Sequence, residues 1–232
     1  MTEAKGQIPM PDEQVSVSAA GGELLQKPAE VTTPVHPLIQ QRWSPRAFDD
    51  RPVPREILLS LFEAARWSAS CFNEQPWNFI VATRDQPEAF TRLLSCLNES
   101  NQAWAKRAPV LVLTVAHHYF EVNHSLNRHA WHDIGLAVQN LTLQASASGL
   151  VVHQMAGILP DHAREVYRIP DDHDVVTAIA IGYQGTLDTL SEKHQQREVQ
   201  PRTRRPLADI LIGDQWGQVS PLLDDASSGE KP

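Results

Sequence analysis

The segment Pro109–Ala116, which reads PVLVLTVA, constrains the fold more than any other part of the chain. Its continuous run of apolar and β-branched residues is typical of a strand that is buried on both faces of a sheet. Such a strand needs other elements to cover it on each side, and the flanking sequence supplies them. Three further segments with strand character alternate with helical patterns: Trp77–Thr83, Val151–Gly157 and Asp174–Tyr183. The alternation predicts a layered α/β or α+β domain.

Helical patterns surround these strands. Pro54–Ala65 and Pro87–Leu97 have apolar residues at helical spacing, and Pro54 suits a first helical turn. A shorter helix is predicted from Asp161, which is expected to be its N-cap, to Arg168.

The longest predicted helix is Asn127–Ser148, and Gly149 ends it. It has few charges on any side, and a helix that is apolar nearly all round needs cover on all sides. This helix therefore indicates a dimer interface. The residues expected to point inward are Ile134, Leu136, Ala137, Leu141 and Ala145.

Composition narrows the class of protein. The chain has 232 residues, of which 41% are hydrophobic and 21% charged, so it can build a sizeable core. A formal net charge of −8 disfavours general nucleic-acid binding. No apolar run approaches the roughly 20 residues of a membrane span, and the acidic N-terminus lacks the features of a secretory signal. Two cysteines without metal or disulfide spacing favour a reducing, cytoplasmic location.

The chain is predicted to have three parts. Residues 1–33 are rich in small and polar residues without periodicity, which is typical of a flexible arm. Residues 34–212 are expected to form the folded domain, and residues 213–232 a C-terminal tail.

Two basic clusters stand out in this acidic chain. In the first, Arg42, Ser44 and Arg46 lie within five residues, and guanidinium forks beside a hydroxyl suit a phosphate. The second contains Arg202, Arg204 and Arg205, and both clusters could converge on one phosphate. From spacing alone, a solvated polar turn and a solubilising charge run remain the competing interpretations.

The loop Ser68–Trp77 joins a predicted helix to a predicted strand. Its Asn and Gln amides can both donate and accept hydrogen bonds, which suits the edge of a heterocycle such as a flavin. Small residues in the loop would let the backbone approach a flat ligand. An ordinary capped turn is the alternative.

The order of these motifs resembles the nitroreductase family. Arg-x-Ser-x-Arg at 42–46 is followed by a helix, then by Ser-x-x-Asn-x-Gln-Pro-Trp at 70–77 and an apolar strand. Each match is weak alone, but their order over residues 35–212 is specific. Further matches follow in order: Asn101 before Ala108-Pro109, Asp133–Leu141, the stretch 149–157, Ala180–Tyr183 and Arg204–Leu207.

The resemblance implies an α+β fold with a central mixed or antiparallel sheet flanked by helices, in an intertwined homodimer with FMN at the interface. It implies that one subunit contacts FMN through Arg42, Trp43, Ser44, Arg46, Asn101, Arg202 and Arg204. It further implies that the second subunit contributes Ala69, Ser70, Cys71 and Asn73, together with Gln154, Met155, Ala156 and Gly157.

The implied activity is carried by the cofactor. NADH or NADPH would deliver hydride to flavin N5, and a small acceptor such as a nitroaromatic or quinone would then be reduced, without a side-chain nucleophile. Alternatives are a specialised branch that reduces enals, removes halogens reductively or fragments the flavin, and a flavin-binding sensor without turnover. Two departures from the family pattern are Ala69-Ser70-Cys71 in place of Pro-Ser-Ser, and Trp104 where several members have Lys.

The ten histidines do not by themselves predict a metal site. His117 and His118 precede Glu121 and His124, and His129 lies four residues before Asp133. Catalytic zinc usually requires three ligands in matched geometry, so ordinary surface or interface histidines are the preferred interpretation.

Overall fold

A computed structural model describes residues 24–224, which fall into two compact units that divide after Gln200. The first unit contains all the longer elements. Its helices are α1 (Pro37–Gln41), α2 (Arg55–Arg66), α3 (Pro87–Leu94), α4 (Glu99–Ala105), α5 (Ala130–Ala147), α6 (Pro160–Tyr167) and α7 (Glu192–Glu198), and its strands are β1 (Trp77–Thr83), β2 (Val110–His117), β3 (Val151–Met155) and β4 (His173–Gly182).

The four strands form one sheet in the order β1-β2-β4-β3. Every pairing is antiparallel: Thr83 lies opposite Val110, Val110 opposite Ile181, and Val152 opposite Ile181 on the other edge of β4. The predicted α+β class is therefore confirmed, with an antiparallel sheet in the described part of the chain.

Side chains on β2 alternate between two cores, as the period of a strand requires. Leu111, Leu113 and Val115 face the core that contains residues of α3, α4 and α6. Val110 and Val112 face the core built with α2 and α5. The molecule thus has a helix–sheet–helix arrangement, and β2 is buried on both faces as predicted.

Several sequence-based boundaries differ from the structure. Helix α3 ends at Leu94 rather than Leu97, because Leu97 instead forms an isolated bridge with Ile158. The N-cap prediction for Asp161 was wrong: the helix begins one residue earlier at Pro160, and Leu159 is its N-cap. Helices α4 and α7 were not predicted.

The inward placement of Leu136 was also wrong within the single chain, where this residue is 38% exposed. Ile134, Ala137, Leu141 and Ala145 do face the core. At about 100° per residue, Leu136 lies on the opposite side of the helix from Ile134. The outward face of α5 therefore remains partly apolar.

None of the described helices is both long and apolar enough to cross a membrane. The predicted arm falls partly outside the described residues, which begin at Leu24. Two hydrogen bonds connect its described end to the segment around α1: Ala29 N donates to the Gln40 carbonyl, and Gln40 Nε2 donates to the Ala29 carbonyl.

Candidate functional site

The segment Arg42–Arg46 leaves α1 with an extended residue, Arg42, as the helix C-cap. Burial then alternates along the chain: Trp43 and Pro45 are buried, whereas Arg42, Ser44 and Arg46 are half-buried. A period of two places these three polar residues on one face. Arg42 Nη1 donates to Ser44 Oγ at 3.2 Å, so the predicted anion-binding residues form one surface.

A buried carboxylate holds Arg46 in place. Glu198, at the end of α7, has a side chain that is 1% exposed, and its Oε1 accepts a hydrogen bond from Arg46 N at 2.6 Å. The same oxygen lies 3.6 Å from Arg46 Nη1. Burial raises the pKa of Glu198, whereas hydrogen bonding and the charges of Arg46 and Lys27 oppose that shift. Arg46 is therefore positioned by a residue that lies 152 positions away in the chain.

Lys27 extends this contact network from the N-terminal side. Its Nζ donates to the Glu198 carbonyl at 2.5 Å and lies 4.9 Å from the centre of the Trp43 ring. A cation over an indole face is attractive. The segment before α1 thus helps to fix both Trp43 and the end of α7.

His153, on the edge strand β3, packs beneath the Arg42–Arg46 segment. Its Nδ1 lies 3.1 Å from the Pro45 carbonyl oxygen, and its ring centre lies 4.6 Å from that of Trp104. Burial, followed by the charge of Arg46, lowers the pKa of His153 to about 4. Because a carbonyl only accepts, neutral His153 carries its proton on Nδ1 and donates to Pro45.

Asn101 reaches the same region through Gly157. Asn98 is the N-cap of helix α4, and its side chain accepts from Asn101 N at 3.0 Å. The Gly157 carbonyl accepts from Asn98 N at 3.0 Å and from Asn101 Nδ2 at 3.1 Å. A Cβ on Gly157 would lie 2.4 Å from Asn98 Nδ2 and 2.6 Å from Asn101 Nδ2. A side chain at position 157 would displace these two amides, so close packing favours glycine here.

The structure thus brings together three of the predicted groups within one chain: the Arg42–Arg46 segment, Asn101 and the end of β3. The stretch Gln154–Gly157 was expected to reach the flavin from the second subunit, and in the single chain Gly157 contacts Asn101 of the same subunit. Contacts run from Pro45 to His153, from His153 to Trp104 and from Asn101 to Gly157. Along the β3 stretch, Gln154 and Ala156 are exposed, whereas the Met155 side chain is 2% exposed in the core. Met155 is therefore buried in the single chain.

The loop between α2 and β1 makes its contacts elsewhere in the described chain. Cys71 N donates to Asp133 Oδ2 at 3.0 Å, and Gln75 N donates to Ser70 Oγ at 3.0 Å. Phe72, Asn73 and Gln75 have φ values of 52°, 58° and 52°, in the left-handed region that Asn adopts more readily than Phe or Gln. Ala69 and Asn73 are exposed, and Ser70 and Cys71 are half-buried. The loop is fixed to the start of α5 and presents an outward surface.

The second basic cluster belongs to the unit that follows Gln200. Arg202 is half-buried, and burial followed by the charge of Arg204 lowers its pKa. Arg204 is exposed and donates from Nη1 to the Thr203 carbonyl at 2.8 Å. Their predicted role in the phosphate site stays a prediction.

The role of Glu198 was not predicted from the sequence. Its helix reads EKHQQRE, a polar pattern typical of a solvent-exposed surface, so the burial of Glu198 could not be expected. No individual role was predicted for Asn98 or His153 either. His153 lies within the quoted 153–157 motif, so its position could have been noticed. Arg42 and Trp43 line a cavity of about 300 Å³, whereas a second cavity, of about 590 Å³, is lined by none of the predicted site residues. The candidate site is the polar face of Arg42, Ser44 and Arg46, in which Arg42 contacts Ser44 and Glu198 holds Arg46.

Comparisons with known proteins give a match to one family and to several relatives. A family model described as "Nitroreductase family" matches residues 39–183. A solved structure described as an oxidoreductase containing FMN is 36% identical, with a TM-score of 0.77 over 82% of this chain and 96% of that chain.

Two curated relatives give further names. A Methanothermobacter thermautotrophicus protein whose name includes "NADH dehydrogenase/NAD(P)H nitroreductase" is 28% identical over 62% of this chain and 74% of its own length. The 4-nitrobenzoate reductase of Pseudomonas putida is 22% identical over 70% of this chain and 90% of its own length.

Proposed function

The chain belongs to the nitroreductase family of oxidoreductases, and on that premise we propose that it is an FMN-dependent enzyme. It passes hydride from NADH or NADPH to a small organic acceptor such as a nitroaromatic or a quinone. The names of relatives support the proposed cofactor, reductant and acceptor. One similar solved structure is described as containing FMN, and curated relatives are named for NAD(P)H and for 4-nitrobenzoate.

The observation that carries the proposal is the polar face formed by Arg42, Ser44 and Arg46. Two guanidinium groups and a hydroxyl match the charge and the acceptor oxygens of a phosphate monoester. Arg46 is held by the buried carboxylate of Glu198, with 3.6 Å between Nη1 and Oε1, so its orientation is set before a ligand arrives. The donor set therefore fits the phosphate of FMN.

The other residues of the site would hold the remainder of the cofactor. When bound, FMN supplies the hydride-accepting and hydride-donating chemistry. Asn101 directs Nδ2 to the Gly157 carbonyl, which leaves its Oδ1 as an acceptor for a ring-edge donor. Neutral His153 supports the backbone of Pro45 without adding charge next to Arg46. The roles of Arg202 and Arg204 stay those that the family resemblance implies.

A homodimer completes the site in the same proposal. Two features support it: α5 leaves Trp131 57% exposed and Leu136 38% exposed, and the loop after α2 leaves Phe72 90% exposed. Exposed apolar patches of this kind mark interaction surfaces. The second subunit would bring Ala69–Asn73 against the FMN of the first. Both cysteines are free thiols, in keeping with the proposed cytoplasmic location.

Stopped-flow mixing of the flavin-loaded protein with NADH and with NADPH tests the proposed activity. We expect the flavin absorbance to bleach rapidly with at least one nicotinamide and to return when nitrofurazone or menadione is added. An unsaturated aldehyde serves as the comparison acceptor for a specialised branch. Flavin that stays oxidised with both nicotinamides would contradict the enzymatic proposal and favour a sensor.

A further inference from the structure

A group of metal-ligating side chains lies at the end of the sheet where β2 finishes and β4 begins. Within the described residues, His117, Asp172 and His173 come together so that one ligand atom from each lies within 4.8 Å of the others. Asp172 Oδ1 lies 2.7 Å from His173 Nδ1, and Asp172 Oδ2 lies 3.5 Å from His117 Nε2. The two imidazole ring centres are 4.7 Å apart.

The antiparallel register produces this arrangement. His117 and His173 are direct partners across the β2–β4 pair, so their side chains share one face of the sheet. Asp172 precedes β4, and its carbonyl accepts from His118 N at 2.9 Å, which ties the turn to β2. His117 N in turn donates to the Pro76 carbonyl at 2.8 Å. All three residues therefore sit on backbone that hydrogen bonds hold in place.

The spacing is close to that of a single coordination sphere. Zinc–nitrogen and zinc–oxygen bonds of about 2.0–2.2 Å place tetrahedral ligands roughly 3.3–3.6 Å apart. The two oxygens of Asp172 face one imidazole each, Oδ1 at 2.7 Å from His173 and Oδ2 at 3.5 Å from His117, and both distances lie within about 1 Å of that spacing. The imidazoles are 23% exposed each and the carboxylate 46%, which leaves room for small rotations and for water at a fourth position.

The surrounding charges also favour a cation. Asp171 and Asp174 flank the pair 172–173, and His118 lies 2.6 Å from Asp174. A fixed positive charge, Arg164, lies beside the cluster: its Nη2 donates to the His173 carbonyl at 2.6 Å and its Nη1 lies 4.0 Å from Asp171. That guanidinium is thus engaged with backbone and carboxylate oxygens.

We propose that His117, Asp172 and His173 form a binding site for a divalent transition-metal ion, with Zn²⁺ as the preferred occupant. Two imidazoles and one carboxylate suit zinc and other borderline ions, whereas Mg²⁺ prefers an all-oxygen octahedral shell. The site is separate from the proposed flavin-binding residues, and it does not depend on the proposed oxidoreductase activity.

Isothermal titration of the untagged full chain, as purified, with ZnCl₂ tests the site, and MgCl₂ is the comparison ion. We expect one saturable Zn²⁺ per chain and no Mg²⁺ heat. The double variant His117→Ala/His173→Ala should bind Zn²⁺ at least roughly tenfold more weakly, because only one of three ligands remains. Asp172→Asn should give an intermediate loss.

The matched control is His124→Ala/His129→Ala, which removes two exposed histidines outside the cluster and should keep the affinity of the unmodified chain. Circular dichroism separates loss of the site from loss of the fold. Unchanged Zn²⁺ affinity in a folded His117→Ala/His173→Ala variant would overturn the proposal, as would the absence of saturable Zn²⁺ binding by the unmodified chain up to about 0.1 mM.

Discussion

Arg46 and Glu198 form the contact on which the proposed phosphate site most depends. A carboxylate that is 1% exposed loses hydration, and its interaction with Arg46 together with the hydrogen bond from Arg46 N offsets part of that cost. The guanidinium itself is 26% exposed. One residue thus connects a buried acid to a surface on which an anion can bind.

Replacing Arg46 by Ala is expected to weaken FMN binding. Loss of a charge-assisted contact costs about 1.5–3 kcal/mol, so the Kd should rise about 10- to 150-fold in a fluorescence titration of the apoprotein. Arg92→Ala removes an exposed arginine from α3 and should leave the Kd unchanged. Unchanged FMN affinity in both Arg46→Ala and Arg204→Ala would place the phosphate elsewhere.

His153 gives the fold a dependence on pH with a definite sign. Its folded pKa of about 4 lies below the ordinary value of 6.5, so the unfolded chain binds a proton that the folded chain does not. Stability is therefore lost as the pH falls from about 6.5 towards 4, by up to about 3 kcal/mol, and is independent of this group above that window.

The variant His153→Gln, which does not titrate, tests this sign. Urea unfolding between pH 5 and 7 should give a shallower loss of stability at low pH than in the unmodified chain, even though the variant is less stable throughout because the Trp104 contact is lost. His129→Gln, at an exposed position, should retain the original slope. Parallel pH profiles for the unmodified chain and His153→Gln would contradict the account.

At the scale of elements, long and strongly patterned segments were predictable. The bounds of β1 match the prediction, and β2 differs by one residue at each end, because a strand that is buried on both faces needs a continuous apolar run. Helices α4 and α7 have seven residues each, too few turns for a clear apolar period. Tertiary contacts, such as the hydrogen bond from Asn98 N to the Gly157 carbonyl, fix these short helices.

The residues of the site also divide into a local motif that was predictable from the sequence and a long-range contact that was not. The motif around Arg42, Ser44 and Arg46 was visible because residues close in sequence carry it. The support from Glu198 was not visible, since only the folded chain brings positions 46 and 198 together. For Leu136 the prediction itself was wrong, because this apolar residue was expected in the core and lies on the outward face of α5.

The substitution Leu136→Arg is expected to disrupt the proposed dimer. Leu136 is 38% exposed in the single chain, so an arginine there should cost the isolated subunit little, whereas a charge buried at an interface is costly. Analytical ultracentrifugation should show a shift from dimer to monomer together with loss of bound FMN. The control is Thr91→Arg, at an exposed position on α3. A Leu136→Arg dimer of unchanged stability would exclude this face as the interface.

At the scale of the whole molecule, a nitroreductase-family fold carries the proposed site, which we propose a second copy completes. The first unit, up to Gln200, carries the sheet, both cores and the Arg42–Arg46 face. The loop 69–73 and the outward face of α5 have the exposure expected of surfaces that a second copy covers. The boundaries of the predicted arm and tail stay predictions.

The visible absorption spectrum of the purified full chain, with release and quantification of the bound chromophore, tests the central claim most directly. We expect a yellow protein whose flavin bands correspond to one FMN per chain, either as isolated or after incubation with FMN and removal of the excess. A colourless protein that takes up no FMN under these conditions would contradict the account.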